Sequence, residues 1–209
     1  MKQIILHYIH DPMCSWCWGF SDTLQQLITA LPAGISVNRL LGGLAPDSNQ
    51  PMSLAMQQQI QQSWHRIERT IPTKQFNFGF WHQNIPRRST YPACRAVIAA
   101  RQQGQHYDPL MTATIQQSYY QRALNPSDLF VLSQLAVEIG LNGSRFQHDI
   151  ATAATETTLQ SEISTARKLG VDSFPGLVLQ QHRSHWPIPI DYNQIEPMLE
   201  IIEQLITDD

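Results

Sequence analysis

The chain has 209 residues, a formal net charge of −3 and a pI near 6.2. This length allows one large domain, or one domain with an insertion, whose core needs no disulfide staples. The mild acidity, with no Lys/Arg cluster larger than Arg87-Arg88, excludes a basic nucleic-acid-binding surface, and no apolar run reaches membrane-spanning length. We therefore expect neither nucleic acid nor membrane among the partners.

The N-terminus has no signal-peptide pattern. One lysine precedes a short apolar run that His7 and His10 interrupt, and no small-residue cleavage site follows. We expect a chain that begins at Met1 and stays in the reducing cytoplasm. In that compartment, two cysteines separated by two residues are more often catalytic or metal-binding than a permanent disulfide.

The first third of the sequence predicts a strand, a helix and a second strand. Residues 4–9 are almost continuously apolar, which is typical of a central strand covered on both faces. Asp11-Pro12 ends this strand, and an amphipathic helix follows to about Leu31. The second strand is predicted at residues 35–41. This order favours a helical crossover on a parallel sheet.

The middle of the chain, residues 45–169, has helical periodicity without strand patterns. The predicted helices cover residues 60–71, 91–104, 110–119, 129–139, 144–150 and 159–169. Residues 75–89 have no clear period but carry four aromatic side chains, so this segment must pack on something or bind something.

Strand patterns return after Gly170. Residues 176–180 and 185–188 are predicted to form a hairpin, and residues 195–206 form a strongly amphipathic final helix. The whole order is β-α-β, a helical block, then β-β-α. We therefore predict an α/β protein in which residues 1–44 and 170–209 form one discontinuous domain and residues 45–169 form an all-helical insertion.

The cysteine pair Cys14-Ser15-Trp16-Cys17 lies where the first strand gives way to the first helix. Strand, C-x-x-C and helix is the context of a dithiol redox site. At the helix N-terminus, unpaired backbone N–H groups and the helix dipole favour a negative charge, and the thiolate is the reactive form of cysteine. Cys14 is thus a candidate nucleophile.

Two other interpretations of the pair remain open. Half of a zinc site would need further ligands, and Cys94 is the only other cysteine. The pair could also be buried structural thiols. For Cys94 we favour a buried inert thiol over a redox-sensitive neighbour. Asp11 and Arg95 are candidates to tune the charge of Cys14, and we expect neither a metal nor a cofactor.

Three stretches carry a resemblance to a known family. They are residues 11–19 (DPMCSWCWG), 91–96 (YPACRA) and 173–176 (SFPG). The chain resembles the DsbA-like branch of the thioredoxin superfamily, in particular the cytoplasmic protein-disulfide-isomerase-like group related to FrnE, over essentially its whole length. The resemblance implies a thioredoxin fold interrupted by the helical insertion.

The resemblance also implies roles for individual residues. Cys14 would attack a substrate disulfide, Cys17 would resolve the mixed disulfide, and Pro175 would be a cis-proline facing them. This proline would expose the backbone of Phe174, to which a substrate could add as a short strand. Trp16 and Trp18, extended by Phe174, would form an apolar rim for a protein or small-thiol disulfide, with glutathione as one candidate.

Two functions other than thiol–disulfide exchange remain open for this sequence. The fold could serve as an adaptor that presents clients through the same groove without using the cysteines. A glutathione-dependent isomerase or transferase of the kappa-like group is the other, although those enzymes carry serine where this chain has Cys14. The Ser-Trp dipeptide lacks the histidine of the strongly oxidising relatives, so we expect a less extreme thiolate at Cys14.

Overall fold

The computed structural model describes residues 4–207. Within this range the chain forms four strands and nine helices: β1 (Ile4–His10), α1 (Ser15–Ala30), β2 (Ile35–Leu41), α2 (Leu54–Thr70), α3 (Phe80–Gln83), α4 (Tyr91–Arg101), α5 (Tyr107–Tyr120), α6 (Leu129–Glu138), α7 (Gly143–Ile150), α8 (Ala153–Lys168), β3 (Gly176–Gln181), β4 (Ser184–Ile188) and α9 (Glu196–Thr207). Over residues 4–207, no helix is both long enough and apolar enough to cross a bilayer.

The four strands form one sheet in the order β2-β1-β3-β4. β1 is parallel to β2 and antiparallel to β3, and β4 pairs antiparallel with β3. Ile9, near the end of β1, lies opposite Gly176, the first residue of β3. The loop that leaves β1 with the cysteines and the loop that enters β3 with Pro175 therefore lie side by side.

Both faces of the sheet are covered. On one face, Leu6 and Tyr8 pack in a cluster with side chains of α1 and α9. On the other face, Ile9 and Val178 pack against Ala166 of α8. Burial of β1 on both sides explains why its sequence is almost continuously apolar.

The helices between β2 and β3 enclose a separate hydrophobic cluster. Trp64 is fully buried at its centre, and Met13 and Trp18 join it from the sheet side. The division into residues 1–44 with 170–209 and an insertion of residues 45–169 stays a prediction. Because α8 lies inside the predicted insertion and also covers one sheet face, the two parts share packing.

A buried charge network ties the helices to β2. Arg101 of α4 pairs with Asp108 at 2.6 Å and with Glu162 at 2.5 Å, and Arg39 of β2 lies 3.2 Å from Asp108. The second carboxylate oxygen of Glu162 accepts the backbone N–H of Leu41 at 2.8 Å. The network fixes the end of β2 close to the cysteine loop.

The predicted strands agree closely with the observed ones, whereas α2 and α8 each begin six residues before their predicted starts at residues 60 and 159. β2 has the predicted bounds, β1 and β3 each extend one residue further, and α1 ends one residue earlier. The turn between β3 and β4 consists of His182 and Arg183, and His182 has a positive φ of 56°. β4 begins at Ser184, one residue before its predicted start.

Residues 75–89 form part of the helical core. Phe76, Phe80 and Trp81 are buried around Trp64, with ring centroids 4.9, 6.1 and 5.0 Å from it. The segment includes the short helix α3, which the sequence did not predict because four residues are too few to establish a period. These three aromatic side chains pack rather than bind.

Candidate functional site

Cys14 lies at the N-cap of α1, as the sequence predicts. Its backbone is extended (φ −81°, ψ 117°), and its N–H donates to the carbonyl of Asp11 at 3.0 Å. Cys17 lies within the first turn and is fully buried, whereas Cys14 keeps 7% of its surface exposed. Of the two cysteines, only Cys14 therefore keeps any exposed surface.

The surroundings lower the pKa of the Cys14 thiol and raise the pKa of the Cys17 thiol. A hydrogen bond from Cys17 lowers the pKa of Cys14 against the opposing effect of burial, and the N–H groups of Cys17 and Trp16 lower it further. Burial raises the pKa of Cys17 well above its ordinary value, and the neighbouring Cys14 raises it more. Cys14 is thus the acidic thiol and Cys17 the one that holds its proton.

The loop that enters β3 faces Cys14. The Phe174–Pro175 peptide bond is cis, as the resemblance implied. The thiol of Cys14 donates to the carbonyl oxygen of Phe174 at 3.4 Å, although 160 positions separate the two residues. The Phe174 ring lies on Gly42, where a Cβ atom would come within 1.9 Å of Cε1. Only glycine at position 42 leaves room for this ring.

Asp11 anchors the loop that carries the cysteines. Its buried carboxylate accepts hydrogen bonds from the N–H of Met13 (2.8 Å), the N–H of Leu44 (2.7 Å), the hydroxyl of Thr90 (2.6 Å) and the thiol of Cys94 (3.4 Å). Burial raises the pKa of Asp11, and these hydrogen bonds oppose the rise. Its negative charge raises the pKa of both Cys14 and Cys17.

Cys94 is fully buried at the start of α4. Burial, followed by the charge of Asp11, raises the pKa of its thiol well above the ordinary value, which agrees with an inert thiol. Arg95 forms ion pairs with Asp47 at 2.7 Å and Glu156 at 3.0 Å. In residues 4–207, no group of three or more His, Cys, Asp or Glu side chains is placed to hold a metal ion.

The two tryptophans of the motif point in different directions. Trp16 is half-buried beside Cys14, with its ring 4.9 Å from Tyr192 and the Arg66 guanidinium 5.6 Å from its centroid. Trp18 is 7% exposed inside the helical core, and the ammonium group of Lys74 lies 4.0 Å from its ring centroid. Of the two, only Trp16 lines the cavity beside Cys14.

A cavity of about 390 Å³ opens beside Cys14. This volume lies within the roughly 300–1,000 Å³ of small-molecule pockets. Its apolar wall combines these side chains: Met13, Trp16, Met52, Met56, Ile60 and Phe174. Its polar and charged side chains include Gln59, Ser63, Arg87, Arg88 and Asp172. Pro175 does not line this cavity but a separate, more open depression with Tyr192.

The sequence did not predict the contribution of α2 to this cavity. The sequence predicts only a helix over residues 60–71, of which Trp64 and Ile67 are buried. Met56 and Ile60, on the same helix, are only partly buried and face the cavity instead. Periodicity marks an apolar stripe but does not separate core positions from positions beside a groove.

Comparison with known families and structures finds one recurring architecture. The thioredoxin family model matches residues 7–190. A candidate protein disulfide isomerase of Nitrosomonas europaea shares 26% identity and a TM-score of 0.86, covering 99% of this chain and 98% of that one. The cytosolic disulfide reductase DsbM of Pseudomonas aeruginosa, also solved with GSH, shares 21% identity and a TM-score of 0.76, covering 98% and 100%.

A curated relative has a different described role. The ClpXP adapter protein SpxH of Bacillus subtilis (strain 168) is 20% identical over 176 residues, which are 84% of this chain. The match spans 58% of the length of SpxH.

Proposed function

Because the chain belongs to the thioredoxin family, we propose that its thiol–disulfide oxidoreductase activity works through Cys14 and Cys17. The observation that carries this proposal is the acidic thiol of Cys14, which lies at the N-terminus of α1, opens on a cavity and lies 3.4 Å from the carbonyl of Phe174. A low thiol pKa beside an accessible groove is the condition for reactivity.

The exchange proceeds in two steps. The Cys14 thiolate attacks one sulfur of a substrate disulfide, forms a mixed disulfide, and the other substrate sulfur leaves as a thiolate that takes a proton from solvent. Cys17 then loses its proton and attacks the sulfur of Cys14, forming the Cys14–Cys17 disulfide and releasing the second substrate thiolate. The substrate gains two electrons and the protein loses two; the reverse sequence oxidises a dithiol.

The raised pKa of Cys17 orders these steps. Part of the rise comes from the negative charge on Cys14. Formation of the mixed disulfide removes that charge, so the pKa of Cys17 falls when its thiolate is needed. Until then the proton on Cys17 serves the hydrogen bond that stabilises the Cys14 thiolate.

The groove supports a division of roles among the predicted substrate-binding residues. Trp16 and Phe174 line the cavity beside Cys14 and are assigned to substrate contact. Pro175 and the backbone of Phe174 present an edge to which an extended substrate adds. Trp18 lies in the helical core, so we assign it to packing.

A cytoplasmic protein or small-thiol disulfide is the proposed substrate. The likeness to a cytosolic reductase supports this location. The structure of DsbM with GSH supports glutathione as one candidate. Isomerase activity is a second mode of the same chemistry, in which Cys14 attacks wrongly paired protein disulfides.

An adaptor function is the second candidate. The likeness to SpxH favours it. It requires the groove and the helices but not the thiols, so a Cys14→Ser protein would keep it. A transferase of the kappa-like group is less well supported, because Cys14 occupies the position of the serine in those enzymes.

A titration against glutathione redox buffers tests the main proposal. Trp16 adjoins the cysteines, so tryptophan fluorescence should report a two-electron transition. Cys14→Ser should abolish both the transition and catalysed exchange, whereas Cys94→Ser should keep both. Exchange activity in Cys14→Ser, or no transition in the native protein with accessible thiols, would contradict the proposal; retained partner binding in Cys14→Ser would then support the adaptor.

A further inference from the structure

Two arginines beside the cavity lack a counter-ion. Three other cations around the site are paired: Arg87 with Asp128, Lys74 with Asp22, and Arg95 with Asp47 and Glu156. Arg66 and Arg88 form no ion pair within the part of the chain that the structure describes. Arg69, exposed beside Arg66, also has no ion pair within residues 4–207, but of the two only the Arg66 guanidinium lies over the Trp16 ring. The paired cations stabilise the fold, whereas Arg66 and Arg88 are free to bind a ligand.

Arg88 is half-buried in the wall of the cavity that contains Cys14. Within residues 4–207, no carboxylate of the protein lies within ion-pairing distance of its guanidinium. Its planar fork of N–H donors matches the two oxygens of a carboxylate. Arg88 therefore presents an unfilled carboxylate-binding group to whatever enters the cavity.

Arg66 marks the other end of the same groove. Its guanidinium lies over the ring of Trp16, which lines the cavity. Gln59 and Ser63 line both this cavity and the shallow depression bounded by Arg66, so the two are continuous along α2. Stacking on the indole leaves the edge of the guanidinium available for hydrogen bonds.

We propose that this groove selects small disulfides that carry carboxylates, with Arg88 and Arg66 as the side chains that bind those carboxylates. The inference rests on the proposed exchange at Cys14 and adds the substrate class. Asp172, exposed at the cavity rim, has the opposite charge and suits an ammonium group. Carboxylates together with an ammonium group are the charges of amino-acid-derived thiols.

The test compares three disulfides with one reaction centre and different charges. Glutathione disulfide carries carboxylates, hydroxyethyl disulfide is neutral and cystamine is cationic. For Arg88→Gln we expect the second-order rate constant for oxidation of the reduced protein by glutathione disulfide to fall about tenfold, since a hydrogen bond between charged groups is worth roughly 1.5–3 kcal/mol and 1.4 kcal/mol is tenfold. The fall should come mainly from weaker binding of this disulfide, and the rate constant with hydroxyethyl disulfide should change less than about twofold.

Matched variants separate charge recognition from damage to the fold. Arg66→Gln should produce a smaller loss of the same kind, Arg88→Lys should recover part of the activity, and added salt should weaken the preference for glutathione disulfide. Arg167→Gln, an exposed arginine on α8, should behave like the parent protein.

Two outcomes would overturn the inference, and they are distinguishable from each other. Equal losses on all three disulfides in Arg88→Gln, or no preference for glutathione disulfide in the parent protein, would remove the carboxylate site while leaving exchange at Cys14 intact. No exchange with any disulfide in the parent protein would remove the proposed function itself, and the substrate class with it.

Discussion

The carboxylate of Asp11 accepts a hydrogen bond of 2.6 Å from the hydroxyl of Thr90, a residue 79 positions further along the chain. Thr90 immediately precedes α4, and Asp11 lies three residues before Cys14. One buried oxygen thus joins the helical part to the cysteine loop. The same carboxylate sets the electrostatic environment of the thiols.

Replacing Asp11 with asparagine should lower the pKa of Cys14. The substitution removes a negative charge that raises this pKa, and it leaves Cys14 more easily ionised. A more stable thiolate stabilises the reduced protein, so the dithiol should become more oxidising. Thiolate absorbance measured against pH and a glutathione titration report these two quantities.

The Asp11→Asn variant should also lose about 1–3 kcal/mol of stability, because an amide cannot replace a carboxylate that accepts from four donors. Glu203→Gln, which removes an exposed carboxylate from α9, is the charge-matched control and should leave the Cys14 pKa unchanged. An unchanged or raised Cys14 pKa in Asp11→Asn would show that the Asp11 charge does not act on the thiol.

Replacing Cys17 with alanine should raise the pKa of Cys14, because the hydrogen bond from Cys17 is the largest cause of its low value. Thiolate is the reactive form and is populated above the pKa, so alkylation of Cys14 should begin at higher pH than in the parent protein. The rate of reaction with iodoacetamide across a pH series measures the shift.

Cys94→Ala provides the control for Cys17→Ala, since the buried Cys94 should not react in the native protein. Its removal should leave the pH profile in place. If native Cys94 were alkylated as fast as Cys14, the description of an inert third thiol would be wrong.

Replacing Gly42 with alanine should displace Phe174 and slow disulfide exchange. The new Cβ atom would lie 1.9 Å from Cε1 of the ring, so the ring must move, and the Phe174 carbonyl beside Cys14 moves with it. A misplacement of about 1 Å at a reacting centre can cost about a hundredfold in rate. Exchange kinetics and thermal unfolding measure the two effects.

A second substitution tests whether the clash with the ring is the cause. Gly42→Ala combined with Phe174→Ala should recover the stability that Gly42→Ala loses, because the smaller side chain leaves room for the methyl group. Equal instability in the single and double variants would place the damage elsewhere.

Replacing His10 with phenylalanine should reduce the loss of folding stability that occurs as the pH falls. His10 is fully buried against Tyr8, with ring centroids 4.7 Å apart, and neither ring nitrogen has a hydrogen-bond partner in residues 4–207. Burial, then Arg39 and Arg101, lowers its pKa well below the ordinary value. The folded protein therefore holds this ring neutral.

His10 should destabilise the folded protein at acid pH, because it binds a proton more readily in the unfolded chain. As pH falls below about 6.5, His10 protonates in the unfolded chain first, so unfolding takes up a proton. This one group lowers stability by at most about 1.4 kcal/mol per pH unit until its folded-state pKa is reached. Denaturant unfolding across that range should show a shallower slope in His10→Phe, and the exposed His148→Gln should keep the parent slope.

The sequence predicted the parts of the fold that depend on local pattern. β2 has its predicted bounds, and Cys14 lies at a helix N-terminus because a strand, a proline break and an amphipathic stretch follow one another. The approach of Pro175 to the cysteines came from the family resemblance. Its geometric basis is the antiparallel pairing of β1 with β3.

The contacts that shape the groove were not predictable in the same way. The residues around Gly42 in the sequence do not indicate that the Phe174 ring packs against it, and those around Arg88 do not indicate that it lacks an ion-pair partner. The motif likewise could not show that Trp16 faces the groove while Trp18 enters the core. Such features depend on which elements meet in three dimensions, and a single sequence reports only which side of each element is apolar.

The pairing of β1 with β3 also constrains when the site can assemble during synthesis. Phe174 is synthesised 160 residues after Cys14, and it lies in the loop that enters β3. A growing chain thus carries two thiols without their groove, and a third at Cys94 that only later becomes enclosed. The same long-range pairing that builds the site delays its chemistry until β3 has been synthesised and has paired with β1.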